Sequence, residues 1–147
     1  MALTIWTEAI RAAANGDRLF GHAARRWTST LQLKVGDQRY ILELLDGQVR
    51  RFEATEDLFE ASDITLGGTE SDWAHLLAEV PVPFYQDFIG AWFNHGFEMS
   101  GDLRGLFAHY WALLRLLDLM RSINGDVGGV VNAPVVGGTD GAAAGVA

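Results

Sequence analysis

Between Trp27 and Val35 apolar and polar positions alternate. Trp27, Ser29, Leu31, Leu33 and Val35 fall on one side, Thr28, Thr30, Gln32 and Lys34 on the other, the period of a strand with one face in a core. Gly36-Asp37 then turns the chain into Gln38–Leu45, and Asp46-Gly47 turns it again into Gln48–Ala54. Asp-Gly is a strong hairpin signal because both residues tolerate the positive φ of a tight turn. The pattern predicts a three-strand antiparallel meander. Ser62–Gly68 reads as a fourth strand, with no partner legible, and Phe97–Ser100 as a fifth.

The period lengthens elsewhere. Ile5, Ala9, Ile10 and Ala13 predict an amphipathic helix over Thr4–Asn15, stopped by Asn15-Gly16. Thr69 or Ser71 caps a second helix with Trp73, Leu76, Leu77 and Val80 on one face, ended by Pro81 and Pro83. Phe84–His95 predicts an aromatic-heavy helix carrying Phe84, Phe88 and Trp92, with Tyr85, Ile89 and Phe93 beside them. Gly101-Asp102 leads into one long helix from Leu103 to Ser122.

On a wheel of about 100° per residue, Leu103, Leu106, Phe107, Tyr110, Leu113, Leu114, Leu117 and Met120 form the stripe expected to meet the sheet. Ala112, Leu116, Leu119 and Ile123 extend the apolar arc around the back. A narrow polar strip of Arg104, Arg115, Asp118 and Ser122, which also holds Trp111, remains. The second apolar side needs a cover: another helix of the chain, a partner subunit or a ligand.

The length of 147 residues suits one domain, taken as residues 1–123, followed by a low-complexity tail, 124–147, expected to be mobile. A net charge of −8 argues against nucleic-acid binding, which needs a basic surface, and sets an expectation that anionic membranes repel the chain. The absence of cysteine removes disulfides and thiolate chemistry and fits a cytoplasmic setting. The N-terminus lacks a signal-peptide pattern. The longest apolar stretch, Gly105–Met120, falls short of the ~20 residues that span a bilayer, so no stable membrane insertion is expected.

His22, His75, His95 and His109 show no metal-ligand spacing, and no Ser sits in a nucleophile elbow. No metal or cofactor is expected. Glu98, Asp102 and His109, with Glu43 behind them, are the groups that acid–base chemistry at an apolar pocket would use. A helix cap explains Asp102 equally well, and no residue is assigned as catalytic. Arg39, Arg50 and Arg51 could meet a ligand carboxylate, although strand surfaces carry such charges for solubility. Enzymatic activity is left open, with a non-enzyme favoured.

The meander through Asp46-Gly47, the DITL of Asp63–Leu66 running into a helix, and FEMSGDLRGLF at Phe97–Phe107 resemble the sterol carrier protein 2 family. The resemblance covers Trp27 to Met120. It implies an α+β fold, a five-stranded antiparallel sheet with helices packed on one face, and an apolar tunnel for fatty acids, acyl-CoA or sterols. No catalytic residue is implied. The chain departs from the family in its enlarged aromatic segment at Pro83–His95 and in its ending, Gly145-Val146-Ala147, which is not a peroxisomal address and implies a non-peroxisomal setting.

The expected partner is an apolar small molecule, held by Trp73, Phe84, Phe88, Trp92, Phe93, Met99, Phe107, Trp111 and Leu116. The alternative is a homodimer, or an accessory subunit of a partner enzyme acting on hydrophobic substrates.

Overall fold

The computed structural model describes residues 3–78 and 83–124. The elements run α1 (Thr7–Gly16), α2 (Arg18–Ala23), β1 (Ser29–Val35), β2 (Gln38–Leu45), β3 (Gln48–Thr55), β4 (Ile64–Gly68), α3 (Glu70–Leu76), α4 (Phe88–His95), β5 (Glu98–Gly101), α5 (Leu103–Ala108) and α6 (Tyr110–Ile123). The strands form one sheet in the order β3-β2-β1-β4-β5.

The meander holds. Ser29, Leu31, Leu33 and Val35 are buried along β1 while the alternate positions are half-exposed. Asp46 and Gly47 take φ of 51° and 83° in the β2–β3 turn. A Cβ on Gly47 would sit 2.9 Å from the Ala24 carbonyl oxygen, so glycine is needed there for space as well as conformation.

The expectation of a wholly antiparallel sheet is corrected. β4 pairs antiparallel with β5 but parallel with β1, Ile64 lying opposite Leu31 and Leu66 opposite Leu33. The reason is the connection after β3. Thr55 pairs with Arg39, which is level with Lys34, and residues 56–63 then carry the chain across β2 and β1 and back to the level of Leu31. A strand reached by such a crossover runs in the direction of β1. Ile41, opposite Gln32 and Glu53, belongs to the face away from the main core, and it is fully buried there.

The apolar pattern gives no sign of α2. Asp17 accepts the Phe20 N–H at 2.7 Å and caps a six-residue helix whose one inward ring, Phe20, is too little to show a period. Thr69 is the cap of α3, in a reciprocal capping box with Asp72. The aromatic helix starts later than expected: Asp87 accepts the Gly90 N–H at 2.7 Å, so α4 begins at Phe88 and Phe84–Gln86 precede it. Val80 and Pro81 lie outside the described residues.

The predicted long helix is two helices. His109 (φ −119°, ψ 27°) interrupts it, and its Nδ1–H donates to the Gly105 carbonyl at 3.1 Å. Beyond the break the buried stripe is rotated, keeping Leu113, Leu117 and Met120 of the wheel phased from Leu103 but exchanging Leu114 for Leu116. In α6 the buried residues are Ala112, Leu113, Leu116, Leu117 and Met120, whereas Leu114 is half-buried. Leu116, expected on the back, is core, and Phe107, expected in the inward stripe, is partly exposed. The exposed strip with Trp111, Asp118 and Ser122 is where the pattern put it.

α1 and α2 pack on α6, so helices of the same chain supply the second cover. The end of α6 is tied to the N-terminal segment by Asn124. Its Nδ2–H donates to the Thr4 carbonyl at 2.8 Å and its Oδ1 accepts the Trp6 N–H at 3.4 Å. Apart from Asn124, the predicted tail lies outside the described residues.

Candidate ligand-binding region

The aromatic residues of Trp73–Phe107 divide into two groups on either side of α4. The inner group is Trp73 on α3, Phe88 on α4 and Phe97 just before β5. Trp73 lies 6.0 Å from Phe88 and 5.3 Å from Phe97 between ring centroids, both in edge-to-face arrangement, and Phe88 is 5.7 Å from Phe97. The indole N–H of Trp73 donates to the Lys34 carbonyl at 2.7 Å, which satisfies its one polar atom in the interior. Met99 and Leu116 are buried in the same core.

Two polar side chains hold α4 over this interior. Tyr110 Oη accepts the Ile89 N–H at 3.1 Å, and burial pushes the Tyr110 phenol up to about 12. Arg121 donates to the carbonyls of Leu76, Tyr85 and Gln86 at 2.7, 3.1 and 2.8 Å, and burial lowers its pKa from the ordinary arginine value. It clamps both flanks of the segment joining α3 to α4. Tyr85 adds a further tie: its hydroxyl donates to Asp72 at 2.7 Å, its ring stacks on His95 at 4.0 Å, and burial, then Asp72, raises its pKa to about 12.

The outer group is Trp92 and Phe93 on α4 with Phe107 on α5. Trp92 stacks on Phe93 at 4.9 Å and lies 6.3 Å from Phe107, which is 6.2 Å from Tyr110. Phe93 is 73% exposed and Phe107 43%. Large apolar side chains in mutual contact at a surface mark binding sites more often than isolated exposed ones do.

Of the residues expected to line a cavity, Trp73, Phe88, Met99 and Leu116 are therefore interior, Trp92 is half-buried between the groups, and Phe93 and Phe107 are at the surface. Phe84 is exposed before α4, its ring 6.4 Å from His95, and Trp111 is exposed on α6. Phe97, Tyr85, Tyr110 and Arg121 also build the region. Their partners are far away in sequence, and only the capping and aromatic character of their segments hinted at a role.

The acid–base candidates are each held in structural contacts. Asp102 caps α5 by accepting the Gly105 N–H at 3.0 Å. Glu98 accepts from Ser100 at 2.9 Å and meets Lys34 at 3.5 Å. His109 stacks on Trp27 at 5.0 Å, and Glu43 pairs with Arg51 at 3.0 Å. Arg51 also meets Glu53 and Glu60 on the outer sheet surface, and these three carboxylates raise its pKa. Among the described residues no cluster of metal-ligating side chains occurs.

A separate polar cavity of about 230 Å³ lies at the other end of the sheet, lined by Thr28, Ser29, Thr30, Glu43, Leu44, Leu45, Arg50 and Asp63. The Asp63 carboxylate accepts the Thr30 N–H at 2.9 Å in its wall. Glu43 and Arg50 are visible in the sequence as strand charges, but the cavity itself arises from the crossover that brings Asp63 beside β1.

A mixed five-stranded sheet, with α3 to α6 gathering aromatic side chains over its inner face, defines an α+β domain built around an apolar interior. Solved structures share it. The crystal structure of sterol carrier protein 2 superposes with a TM-score of 0.66 and 21% identity, covering 79% of this chain and 93% of that one. A conserved hypothetical protein of Thermus thermophilus, described as possibly a sterol carrier protein, gives 0.64 and 21% over 82% and 90%. A structure described as a UbiJ-SCP2 ubiquinone synthesis protein gives 0.53 and 15% over 78% and 90%. No family model matches the sequence, and no curated protein matches it. The chain thus has a sterol carrier protein 2-like fold, and at these identities the likeness speaks of fold alone.

Proposed function

We propose that this protein binds one hydrophobic small molecule, a fatty acid, acyl-CoA or sterol-like lipid, and acts as its carrier or presents it to an enzyme. The observation that carries the reading is the outer aromatic group. Trp92, Phe93 and Phe107 form contacting apolar surface directly beside an α-helix whose other side is core. In this reading the ligand enters beside Trp92, with Phe93, Phe107 and Phe84 at the mouth and Phe88, Trp73, Met99 and Leu116 as the wall behind. The fold shared with sterol carrier protein 2 supports it. A cytoplasmic setting goes with the absence of cysteine.

Burial supplies the affinity, at ~0.8 kcal/mol per CH₂. At about −0.3 kcal/mol per heavy atom, a ligand of ~25 atoms binds with roughly micromolar affinity, compatible with release. The test is titration with a fluorescent fatty acid and a fluorescent sterol, each below its aggregation threshold. Saturable one-to-one binding of either supports the reading; no binding of either, with the fold intact, refutes it.

The same exposed rings favour a second reading, docking of a partner enzyme or a second copy through α4 and α5. A similar fold occurs in the structure described as a ubiquinone synthesis protein. A solution mass that doubles at submicromolar concentration, and reverts on Phe93→Ser, would support that reading over a monomeric carrier.

A further inference from the structure

The net charge of −8 is unevenly placed. Glu53–Asp63 holds five carboxylates and no Lys or Arg, whereas two other runs, Arg18–Gly36 and Leu103–Leu117, contain no Asp or Glu and hold six of the eleven Lys and Arg residues. The acidic run becomes the crossover, tied to the outer side of the sheet through Arg51. The other two supply α2 and α6, on the helical side.

At the tip of the crossover Leu58 is 68% exposed and Phe59 91%. The tip is held in shape. The Asp57 carboxylate accepts the Phe59 N–H at 2.9 Å, and the Thr55 hydroxyl accepts the Asp57 N–H at 3.1 Å while donating to Glu60 at 3.1 Å. Glu60 in turn takes the Arg51 guanidinium in a two-pronged pair at 2.9 and 3.3 Å. Docking such a loop orders little that is not already ordered. Glu56 and Asp57, beside the apolar pair, form no ion pair among the described residues. Of the nearby cations, Arg51 is shared by three carboxylates and Arg39, opposite Thr55, is half-buried.

The helical side carries the complement. Asp17 takes the Arg115 guanidinium in a two-pronged pair at 2.8 and 2.9 Å, which ties α2 to α6 and neutralises that carboxylate. Leu19 of α2 is 64% exposed, and Trp111, one turn before Arg115 on α6, is 78% exposed. Arg18, Arg25 and Arg26 are exposed on and just after α2. Asp46 borders the face on the hairpin turn that meets Ala24, and the exposed Arg50 of β3 offsets it.

From this complementarity we infer that the crossover tip of one copy of this chain docks on the α2–α6 face of a second copy. Leu58 and Phe59 pack against Leu19 and Trp111, and Glu56 and Asp57 meet Arg18, Arg25 and Arg26. Tryptophan and arginine are the residue types that anchor such contacts most often, and opposite charges at the rim fix the register. Tip and face lie on opposite sides of the sheet, so the contact is head-to-tail. Each copy then keeps one surface of each kind free, and growth leads to a ring or a chain of copies instead of stopping at a two-fold dimer. Four apolar anchors within a charged rim make a small interface, so association is weak and depends on concentration. The outer aromatic group takes no part, and the inference stands apart from both the lipid-binding reading and docking through α4 and α5.

Sedimentation velocity at low salt, from about 10 to 500 µM protein, tests it. The mean mass of the wild-type chain should rise through and beyond that of a dimer, and fall back at high salt. In one variant Glu56→Lys is combined with Asp57→Asn, which makes the tip basic while keeping an acceptor for the Phe59 N–H. In the other, Arg18→Glu and Arg25→Glu make the face acidic. Each should lose about tenfold or more in association constant, with unchanged circular dichroism. A one-to-one mixture of the two should associate again, because opposite charges then meet at both kinds of junction. Phe59→Ser and Trp111→Ser should each weaken association of the wild-type pair, and Phe93→Ser should leave it unchanged.

A chain that stays monomeric over the whole range overturns the inference. So does association that survives both charge variants, or a mixture of the two that remains monomeric. A discrete dimer that Phe93→Ser dissociates assigns the contact to α4 and α5 and also overturns it. Titration with a fluorescent fatty acid is read separately, so failure of ligand binding leaves this result standing.

Discussion

The inner and outer aromatic groups are built from the same residue types on neighbouring positions of one helix, yet they do different work. Phe88 is locked between Trp73 and Phe97 with its ring out of water, whereas Phe93, five residues on, stacks on Trp92 and faces solvent. Burial on folding stabilises the first in every molecule. Apolar surface of the second gains from leaving water only when something else covers it. Aromatic content alone is therefore a poor guide to a binding site; its partition between interior and surface is the informative quantity.

The largest expected effect breaks the inner group. Phe88→Ala should destabilise the protein by about 3–5 kcal/mol, since it opens a cavity beside Trp73 and Phe97; denaturant unfolding measures it. A loss below about 1 kcal/mol would mean that the inner rings are as loosely held as the outer ones. Next, Leu116→Ala should lose about 2–5 kcal/mol because Leu116 is core, and the half-buried Leu114→Ala less. Equal losses would show that α6 is rotated from the orientation described.

Truncation of the outer group should act on binding more than on folding. Trp92→Ala is expected to change stability by about 1 kcal/mol while weakening a bound fluorescent fatty acid by about tenfold or more. The reverse pattern would assign Trp92 to the interior. The smallest effect concerns the ion pair outside both groups. The Arg115 guanidinium, and then the Phe20 N–H, hold the Asp17 carboxyl below its ordinary range.

A carboxyl depressed by folding contributes stability above its unfolded pKa and loses it as pH falls through the folded one. Asp17→Asn should therefore reduce stability at neutral pH by about 1 kcal/mol and converge with wild type in acid. Melting temperatures across that range check it, and a constant difference at all pH values would show that the ionised carboxylate of Asp17 is not what stabilises the fold.

Much of the fold was legible because its signals are local. The alternation along Trp27–Val35, the Asp46-Gly47 turn and the Thr69 cap each act over a few residues, and each appears where the pattern placed it. The candidate site was legible only as a segment. The run from Phe84 to Phe107 announced more aromatic surface than a small core absorbs, but not which rings are inside. That depends on where α4 begins, which Asp87 decides.

By itself, then, the order of residues determined the strands, the caps of α3 and α5 and the apolar character of the region, because hydrogen-bonding and burial periods are written within each element. Tertiary structure alone decided that β4 runs parallel to β1, that Leu116 is core while Phe93 is surface, and that arginines from two distant runs share a face with Trp111. Those outcomes depend on which elements meet. Pairings between residues as far apart as Asp17 and Arg115 leave no trace in the local periodicity of either segment.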